Sequence, residues 1–385
     1  MTSEIEPIDT YINPLEATYN DYLLEKITEM FNREEKDAFI TASDAQRPIT
    51  IRANRLKTTR SSLIQKLTHR GVNLEKIDWS DAGAVVYNSS VPIGATPEYL
   101  AGQYILQGAS SMLPVLALSP QPEDVVVDMC AAPGGKTSHL AAVMGNKGTI
   151  YANDVSASRA VALAANLQRM GVSNTICTVM DALALPYTRV NKVLLDAPCS
   201  GTGVLAKDPA AKRNKDAMSV RRLQEKQKEL ILKAFDMLNP KDPANSVLVY
   251  STCSILVEEN ECVVDYLLRK RKNAKVVDTE LPIGKNGFSS YRGKIFHPSL
   301  KLTRRFYPHV HNTDGFYVAR IKKMGYSPEE IAAKPAVKAA AKSEGATAVT
   351  KKKAALPTAS DRARKGLRPK RAQRSPKTNK RPKKE

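Results

Sequence analysis

The chain has 385 residues, of which 42% are apolar, and its 59 Lys and Arg against 39 Asp and Glu give it a formal net charge of +20. This length and apolar content predict a folded protein of about two or three domains, whereas five cysteines without any C-x-x-C spacing disfavour both a disulfide framework and a zinc ribbon. No apolar run approaches the ~18 residues of a membrane span, and the polar, acidic first residues are unlike a secretory signal.

The first 106 residues are predicted to form two small units. Residues 1 to 46 are a helical segment, because apolar side chains recur at three- and four-residue spacing over 15 to 42. Residues 47 to 106 are a small α+β (RRM-like) module with two strands and a helix that ends at Gly71. Four basic residues of this module are a candidate nucleic-acid face, although such charges are more often simply solvated: Arg52, Arg55, Lys57 and Arg60.

Residues 107 to 325 alternate apolar, strand-like runs with helical stretches. Six strands are predicted, over residues 125–130, 149–154, 175–181, 192–198, 246–254 and 315–321. Two long helices are predicted over 220–238 and 257–272. Because runs that are apolar on both sides of the pleat belong in a sheet covered on both faces, this region is predicted to be an α/β fold with a doubly wound, mostly parallel sheet.

Residues 326 to 385 are predicted to be a disordered basic tail. The last 55 residues hold 18 Lys and Arg, three acids and no aromatic residue. Low hydrophobicity combined with charge of one sign keeps such a segment unfolded.

A Gly-rich turn joins a buried strand to a helix over residues 128 to 138. Gly134 and Gly135 let the backbone approach a ligand, and the helix N-terminus offers unpaired N–H groups to an anion. The Gly-Lys-Thr sequence at 135 to 137 is similar to a nucleotide-binding P-loop, but Cys130 stands where that motif requires glycine. A phosphate-binding loop is therefore disfavoured.

Three acids follow predicted strands at the same edge of the sheet. Asp154 lies 19 residues beyond Gly135, close to the ~20 at which an acid meets ribose hydroxyls in nucleoside-binding α/β folds. Asp181 and Asp196 end the next two strands. A single such acid is usually a cap, but the set with the Gly-rich turn predicts a ligand along this edge.

Two thiols, Cys199 and Cys253, also fall at or just after strand ends. Most lone cysteines are small buried hydrophobes, which is the interpretation of Cys177 and Cys262. Strand-end turns near Lys136 instead favour the thiolate form of Cys199 and Cys253.

Residues 128–138, 196–203, 250–255 and 304–320 together resemble the S-adenosylmethionine-dependent RNA (cytosine-5) methyltransferases of the Nop/Sun (RsmB-like) type. The resemblance covers roughly residues 15 to 322, and it implies a Rossmann-like class I methyltransferase over 107 to 325. The stretches 97–115, 208–216 and 296–312 are similar to the nucleolar branch, which modifies large-subunit ribosomal RNA. That branch carries a charged N-terminal extension, whereas the basic run here follows the core.

The resemblance implies roles for four catalytic residues. Carbon 5 of cytosine is a poor nucleophile until a thiolate adds to carbon 6 and makes carbon 5 enamine-like. By similarity Cys253, in the TC motif, makes that attack, and Cys199, in the PC motif, assists loss of the carbon 5 proton. Asp196 and Lys136 hold the cytosine ring and offset charge.

The resemblance also implies the cofactor site. The loop that holds the methionine part of S-adenosyl-L-methionine consists of Cys130, Ala131, Ala132, Pro133, Gly134, Gly135 and Lys136. Asp154 and Asp181 take the ribose and the adenine, with Asp196 at the same edge. No metal is implied.

The partner implied is RNA, either large-subunit ribosomal RNA or pre-ribosomal particles, in which the target base has left its stack. Candidate RNA contacts are Lys207, Lys212, Arg213, Lys215, Arg304 and Arg305, while Phe306 and Tyr307 are assigned to core packing. We expect a monomer without membrane association, located in the nucleus and nucleolus.

The resemblance thus makes methylation of large-subunit ribosomal RNA during nucleolar ribosome assembly the leading hypothesis, and three alternatives to it stay open. The first is the same chemistry on transfer RNA. The second is a ribosome assembly factor whose binding role outweighs its catalysis. The third is a nucleotide hydrolase, which Cys130 disfavours.

We predict that deleting residues 331 to 385 weakens RNA binding mainly at low salt, because the contribution of Lys and Arg contacts falls with counterion concentration. Catalysis should be largely unchanged, whereas localisation should be disturbed, because basic runs such as Lys-Lys-Lys at 351 to 353 are typical of nuclear or nucleolar targeting signals. Filter binding at two salt concentrations and imaging of the truncated protein test this, and an unchanged location would refute the targeting role.

Overall fold

The computed structural model describes residues 13 to 328 and residue 331, so the predicted basic tail lies almost wholly outside the described residues. The helices in chain order are α1 (Asp21–Met30), α2 (Arg33–Asp44), α3 (Arg60–His69), α4 (Pro97–Leu100), α5 (Leu113–Leu118), α6 (Gly135–Val143), α7 (Ala157–Met170), α8 (Ala217–Met237), α9 (Glu261–Lys270) and α10 (Pro308–His311). The first eight strands are β1 (Ile49–Ala53), β2 (Val72–Lys76), β3 (Gly83–Ser89), β4 (Tyr104–Leu106), β5 (Val125–Asp128), β6 (Thr149–Asp154), β7 (Thr175–Val179) and β8 (Lys192–Asp196). The remaining strands are β9 (Val247–Thr252), β10 (Ala274–Val277), β11 (Lys285–Asn286), β12 (Ser290–Tyr291), β13 (Lys294–Ile295), β14 (Arg304–Phe306) and β15 (Phe316–Lys323).

The N-terminal segment is not the single helix predicted over 15 to 42. It breaks between α1 and α2, where the Asn32 side chain accepts a hydrogen bond from the Glu35 N–H at 2.9 Å and caps a new helix. The break turns Phe31 inward, where its ring stacks on Phe39 at 5.2 Å and meets Tyr307 edge-on at 5.1 Å. The two helices thereby form a cap over the loops that follow β8 and β9.

The module after the cap is a four-stranded antiparallel sheet in the order β2-β3-β1-β4, packed on α3. The predicted strands and helix correspond to β1, β3 and α3, and the chain leaves α3 through Gly71 at a φ of +77°. The sequence missed β2 and β4. Both are short, and β4 has three residues that are defined mainly by their pairing with β1.

The large sheet confirms the predicted α/β class. Strands β7, β6, β5, β8 and β9 pair in parallel, and β15 then pairs antiparallel with β9. Strands β10 and β14 both pair with β15, and β11 extends the sheet beyond β14. The predicted helix over 257–272 starts later, at Glu261, because residues 257 to 260 form a turn.

Successive side chains of the central strands point to opposite faces of the sheet. Because both faces are buried, the strands are apolar on both sides. Val126, Leu194 and Val249 pack on one face of the sheet with α5 and α6. Their neighbours along the strands pack on the other face with α8 and α9: Val127, Leu195 and Tyr250. A sheet buried on both faces is the arrangement of a doubly wound fold. The domain boundaries at 46/47, 106/107 and 325/326 stay predictions.

The antiparallel edge is fixed by a buried ion pair. Arg305 on β14 and Glu261 at the start of α9 form a two-pronged contact and are both almost fully buried. Arg305 also donates to the Ile255 carbonyl at 2.7 Å, so it ties this edge to the turn after β9.

No helix within the described residues is long and apolar enough to span a membrane.

We predict that Glu261→Gln lowers the free energy of unfolding by about 3–5 kcal/mol, because the guanidinium of Arg305 is left buried without its counter-charge. Glu280→Gln is the matched control, since Glu280 pairs with Arg320 but is 69% exposed, and should cost under about 1 kcal/mol. Urea unfolding of the two variants measures both changes, and equal losses would contradict the assignment.

Candidate active site

A cavity of about 380 Å³ opens at the carboxyl edge of the parallel strands. It brings together most of the residues that the sequence singled out, since its lining includes Cys130, Ala132, Asp154, Asp181, Asp196, Cys199 and Cys253. Ligands of open α/β sheets bind at this edge, so the structure brings these seven residues together in one site. The other predicted site residues are not among those that line the cavity: Ala131, Pro133, Gly134, Gly135 and Lys136.

The Gly-rich turn forms one wall of the site. Gly134 is the residue before α6 and has a φ of +100°, and a Cβ on it would stand 3.0 Å from the Leu163 side chain. Glycine therefore lets the turn fold tightly against α7. The hydroxyl of Thr137 donates to Asp128 at 2.8 Å and holds α6 to the end of β5, and burial raises the pKa of Asp128 to about 7.

Asp154 and Asp181 both lie at the cavity, and both also serve as local caps. Asp154 ends β6 and accepts from the backbone N–H groups of Ser156 at 3.0 Å and Ala132 at 3.3 Å. Asp181 lies two residues beyond β7, not at the strand end as predicted, and accepts from the Leu183 N–H at 3.0 Å. A capping role for these two acids is therefore compatible with their position at the candidate ligand site.

Asp196 is held by two partners at the end of β8. Its Oδ2 atom accepts from the Lys136 ammonium at 2.7 Å, and its Oδ1 atom accepts from the Ser251 hydroxyl at 2.8 Å. Burial lowers the pKa of Lys136, but the Asp196 carboxylate outweighs burial, and the net shift is upward. Lys136 therefore supplies a fixed positive charge beside the thiols.

The two predicted thiols lie in contact. The Sγ atoms of Cys199 and Cys253 are 3.2 Å apart, which is a hydrogen-bonding distance for sulfur. Cys253 directly follows β9, and Cys199 lies three residues beyond the end of β8. Because β8 and β9 are parallel neighbours, their two following loops carry both thiols to the same point.

The environment makes the two thiols unequal. The hydrogen bond from Cys199 lowers the pKa of Cys253, and the nearby Lys136 ammonium acts in the same direction. The same hydrogen bond and burial raise the pKa of Cys199 well above its ordinary value. The expectation of thiolate character thus fits Cys253 and is wrong for Cys199, because a shared proton can favour only one sulfur.

The basic residues of the small module do not form a free nucleic-acid face. Arg52 is fully buried and donates to Ser138 at 2.8 Å, and Arg60 donates to the Ile77 carbonyl at 2.8 Å. Lys57 donates to the carbonyls of Ala101 and Arg169, and Arg55 pairs with Asp81. These contacts hold the module together or join it to α6 and α7.

The other candidate RNA contacts fall into two groups, side chains that are buried or paired and side chains at or near the surface. Lys212 is buried against Asp44, Arg305 is buried against Glu261, and Arg304 pairs with Asp278 at 3.3 Å. Phe306 and Tyr307 lie in the core as predicted. The remaining candidates lie at or near the surface: Lys207, Arg213 and Lys215.

Several residues at the site were not predicted. Arg159 on α7 lies 3.4 Å from Asp154, and Lys226 on α8 lies 3.7 Å from Asp181, so each lining acid has a basic neighbour. Glu259 is fully buried behind both thiols. The only sequence signal for it is a polar run, Glu-Glu-Asn-Glu, just after an apolar stretch.

Comparisons with known families match both parts of the chain. The protein-family model described as 16S rRNA methyltransferase RsmB/F matches residues 115–322. The model described as the N-terminal domain of 16S rRNA methyltransferase RsmF matches residues 20–109.

Individual relatives agree. The chain is 54% identical over 313 residues to the human 28S rRNA (cytosine(4447)-C(5))-methyltransferase, an alignment that covers 80% of this chain and 38% of that protein. It is 50% identical over 325 residues to the 25S rRNA (cytosine-C(5))-methyltransferase nop2 of Schizosaccharomyces pombe, covering 83% of this chain and 54% of that protein. The chain thus spans about half or less of the length of these curated relatives.

A solved structure shares the architecture. A methyltransferase homologue from Pyrococcus horikoshii is 34% identical, with a TM-score of 0.70, and the match covers 78% of this chain and 93% of that one.

We predict that Cys199→Ala raises the pKa of Cys253, because the variant loses the S–H donor that stabilises the Cys253 thiolate. The rate at which iodoacetamide alkylates Cys253, followed by mass spectrometry across pH, should show a midpoint at higher pH than in the wild type. Cys262→Ala is the control, because Cys262 lies outside the cavity lining. An unchanged or lower midpoint in Cys199→Ala would contradict the pairing of the thiols.

Proposed function

Because the chain belongs to the RsmB/F methyltransferase family, we propose that it transfers a methyl group from S-adenosyl-L-methionine to carbon 5 of a cytosine in large-subunit ribosomal RNA. The observation that carries this proposal is the pair of thiols, 3.2 Å apart, at a cavity that also carries Asp154 and Asp181. The large-subunit substrate is supported by the names of the human and Schizosaccharomyces pombe relatives.

The residues present fit the cofactor. Gly134 has no side chain with which to cap α6, so the first-turn N–H groups of that helix are available to a carboxylate such as that of the methionine part. Asp154 and Asp181 provide acceptors for ribose hydroxyls and an adenine amino group, with Asp196 at the same edge. When bound, S-adenosylmethionine supplies an electrophilic methyl group.

Cys253 is the proposed nucleophile. Its lowered pKa favours the thiolate, which adds to carbon 6 of the cytosine and makes carbon 5 able to attack the methyl group. The addition places negative charge on the ring, and the ammonium of Lys136, fixed by Asp196 at 2.7 Å, offsets it. Asp196 is itself held by Ser251, so it can orient the ring without turning.

Cys199 is the proposed partner for product release. Its S–H faces the Cys253 sulfur at rest, so it lies next to the bond between Cys253 and carbon 6. Once the Cys253 sulfur is bonded to carbon 6 it no longer holds the Cys199 proton, which passes to solvent. The Cys199 thiolate then takes the proton from carbon 5, the electrons of that C–H bond restore the ring double bond, and the bond from carbon 6 to sulfur breaks to return Cys253 as a thiolate. The raised pKa of Cys199 suits a group that takes up and returns a proton beside a thiolate.

The RNA is expected to approach beside the cap and the small module. A second cavity of about 300 Å³ lies there, with Arg47, Ile49, Leu106, Asn312 and the ion pair of Lys207 with Asp314 in its lining. This mixture of cations, apolar surface and an amide suits an unpaired strand whose target base has been turned out. We further propose that the protein works as a single chain in the nucleolus, where the proposed substrate is made.

The test is a denaturing gel of the wild type, Cys199→Ala and Cys253→Ala after incubation with large-subunit ribosomal RNA and labelled S-adenosylmethionine, with a parallel reaction on transfer RNA. Cys199→Ala should accumulate a covalent RNA complex, because release is blocked. Cys253→Ala should give neither complex nor labelled RNA. Cys177→Ala, altered at an exposed cysteine on the edge strand β7, should behave as wild type.

Two results would count against the proposal. If the wild type labels RNA but neither variant traps it, the assigned thiol roles are wrong. If transfer RNA is labelled and ribosomal RNA is not, the chemistry stands and the substrate is wrong.

A further inference from the structure

Glu259 is a buried carboxylate in the turn between Cys253 and α9, with no exposed surface. Its two oxygens accept hydrogen bonds from four groups. The Ser200 N–H donates at 2.9 Å and the Gln227 amide donates at 3.0 Å. The hydroxyls of Ser200 and Ser254 complete the set.

Two of these partners directly follow the two thiols in sequence. Ser200 comes after Cys199, and Ser254 comes after Cys253, so one carboxylate contacts the chain beside each sulfur. Gln227 extends the network, because its amide also donates to the Pro198 carbonyl at 2.8 Å, on the other side of Cys199.

The neighbouring residue has a narrower role. Asn260 accepts from the Thr252 hydroxyl at 2.6 Å and donates to the Ser254 carbonyl at 2.9 Å, so it braces the Cys253 turn alone. Further along the two loops, Ile255 donates to the Thr202 hydroxyl at 3.2 Å. The two loops are also joined directly, since the Gly203 N–H donates to the Cys253 carbonyl at 2.8 Å and the Ser254 hydroxyl lies 3.3 Å from that of Ser200. Glu259 differs from these links because one side chain contacts the residue after each thiol and has both contacts on a buried carboxylate.

We propose that Glu259 is a positioning residue that clamps the Cys199 and Cys253 loops together and so fixes the separation of the two sulfur atoms. The role of this clamp in methyl transfer rests on the proposed function, but the clamp itself is a property of the fold. The Ser200 N–H and the Gln227 NH₂ both donate to the Oε1 atom of Glu259, and the hydroxyls of Ser200 and Ser254 both donate to its Oε2 atom. A glutamine at 259 keeps the size of the side chain but puts an NH₂ group in place of Oε2, so both hydroxyls must accept instead of donate, although Ser254 already accepts from the Leu256 N–H at 3.1 Å. The two charge-assisted hydrogen bonds that join the loops are then lost, which weakens the clamp.

The separation of the thiols can be measured without RNA or cofactor. Phenylarsine oxide exchanges its oxygen for two As–S bonds and releases water, and it binds tightly only when two thiols lie close together. We expect Glu259→Gln to bind it at least about tenfold more weakly than the wild type, because the effective concentration of one thiol at the other falls. Glu258→Gln is the matched control, since the side chain of Glu258 pairs with Lys26, and its affinity should be unchanged.

The kinetic readout separates positioning from general damage. In Glu259→Gln we expect kcat for methyl transfer to fall by about tenfold or more while KM for S-adenosylmethionine is unchanged. Glu259→Asp, which keeps the charge, should recover part of both the arsenical affinity and kcat.

The clamp is refuted if folded Glu259→Gln, checked by its thermal transition, binds phenylarsine oxide as tightly as the wild type. If Glu259→Gln does not fold, Ser254→Ala removes one arm of the clamp, and an unchanged affinity in that variant refutes the proposal equally. Weakened arsenical binding together with a wild type that methylates no RNA would support the clamp and overturn the proposed function, so the two failures are distinguishable.

Discussion

Burying a carboxylate is costly unless donors or cations replace its lost water, and residues 258 to 261 impose this requirement several times in succession. Glu258, which is only partly buried, pairs with Lys26 of the N-terminal cap through one of its oxygens. Glu259 is satisfied by serines beside both thiols, and Glu261 by Arg305 of the antiparallel edge. Because each acid draws on a different part of the chain, this short turn joins the cap, the thiol loops and the last strands into one arrangement.

The same turn explains how chemistry is built at an ordinary sheet edge. Parallel strands bring their carboxyl ends together, but the edge alone does not set the distance between two loops. Here one loop bears Cys199 and the other Cys253, and their contact at 3.2 Å divides one proton unequally between two chemically identical groups. The fixed Lys136–Asp196 pair then stands beside the more acidic thiol. The different pKa values of two cysteines thus result from the way the chain packs around them.

How much could be predicted depends on the range of each interaction. Asp154, Asp196 and Cys253 could be placed at one edge because apolar strands of period two and their ends are local signals. The break at Asn32 was missed because the interpretation rested on the apolar residues at 22 to 31, although residues 32 to 37 are all polar and Asn32 with Glu35 has the spacing of a helix cap. Strand β4 was missed because three residues carry no period of their own. Partnerships between distant residues leave no local trace. Arg52 and Arg305 have the same side chain as a solvated arginine, and only the assembled fold shows that both are buried.

The aromatic contact between the cap and the late strands has a consequence for synthesis on the ribosome. Phe31 and Phe39 emerge early, yet their partner Tyr307 lies 276 residues after Phe31 in the chain. Closing so long a loop is slow, and although the cap also packs on residues 205 to 256, its aromatic contacts are complete only after Tyr307 has been translated. We therefore expect a chain that stops before residue 307 to leave the Phe31 ring partly uncovered and to aggregate more readily than the full chain.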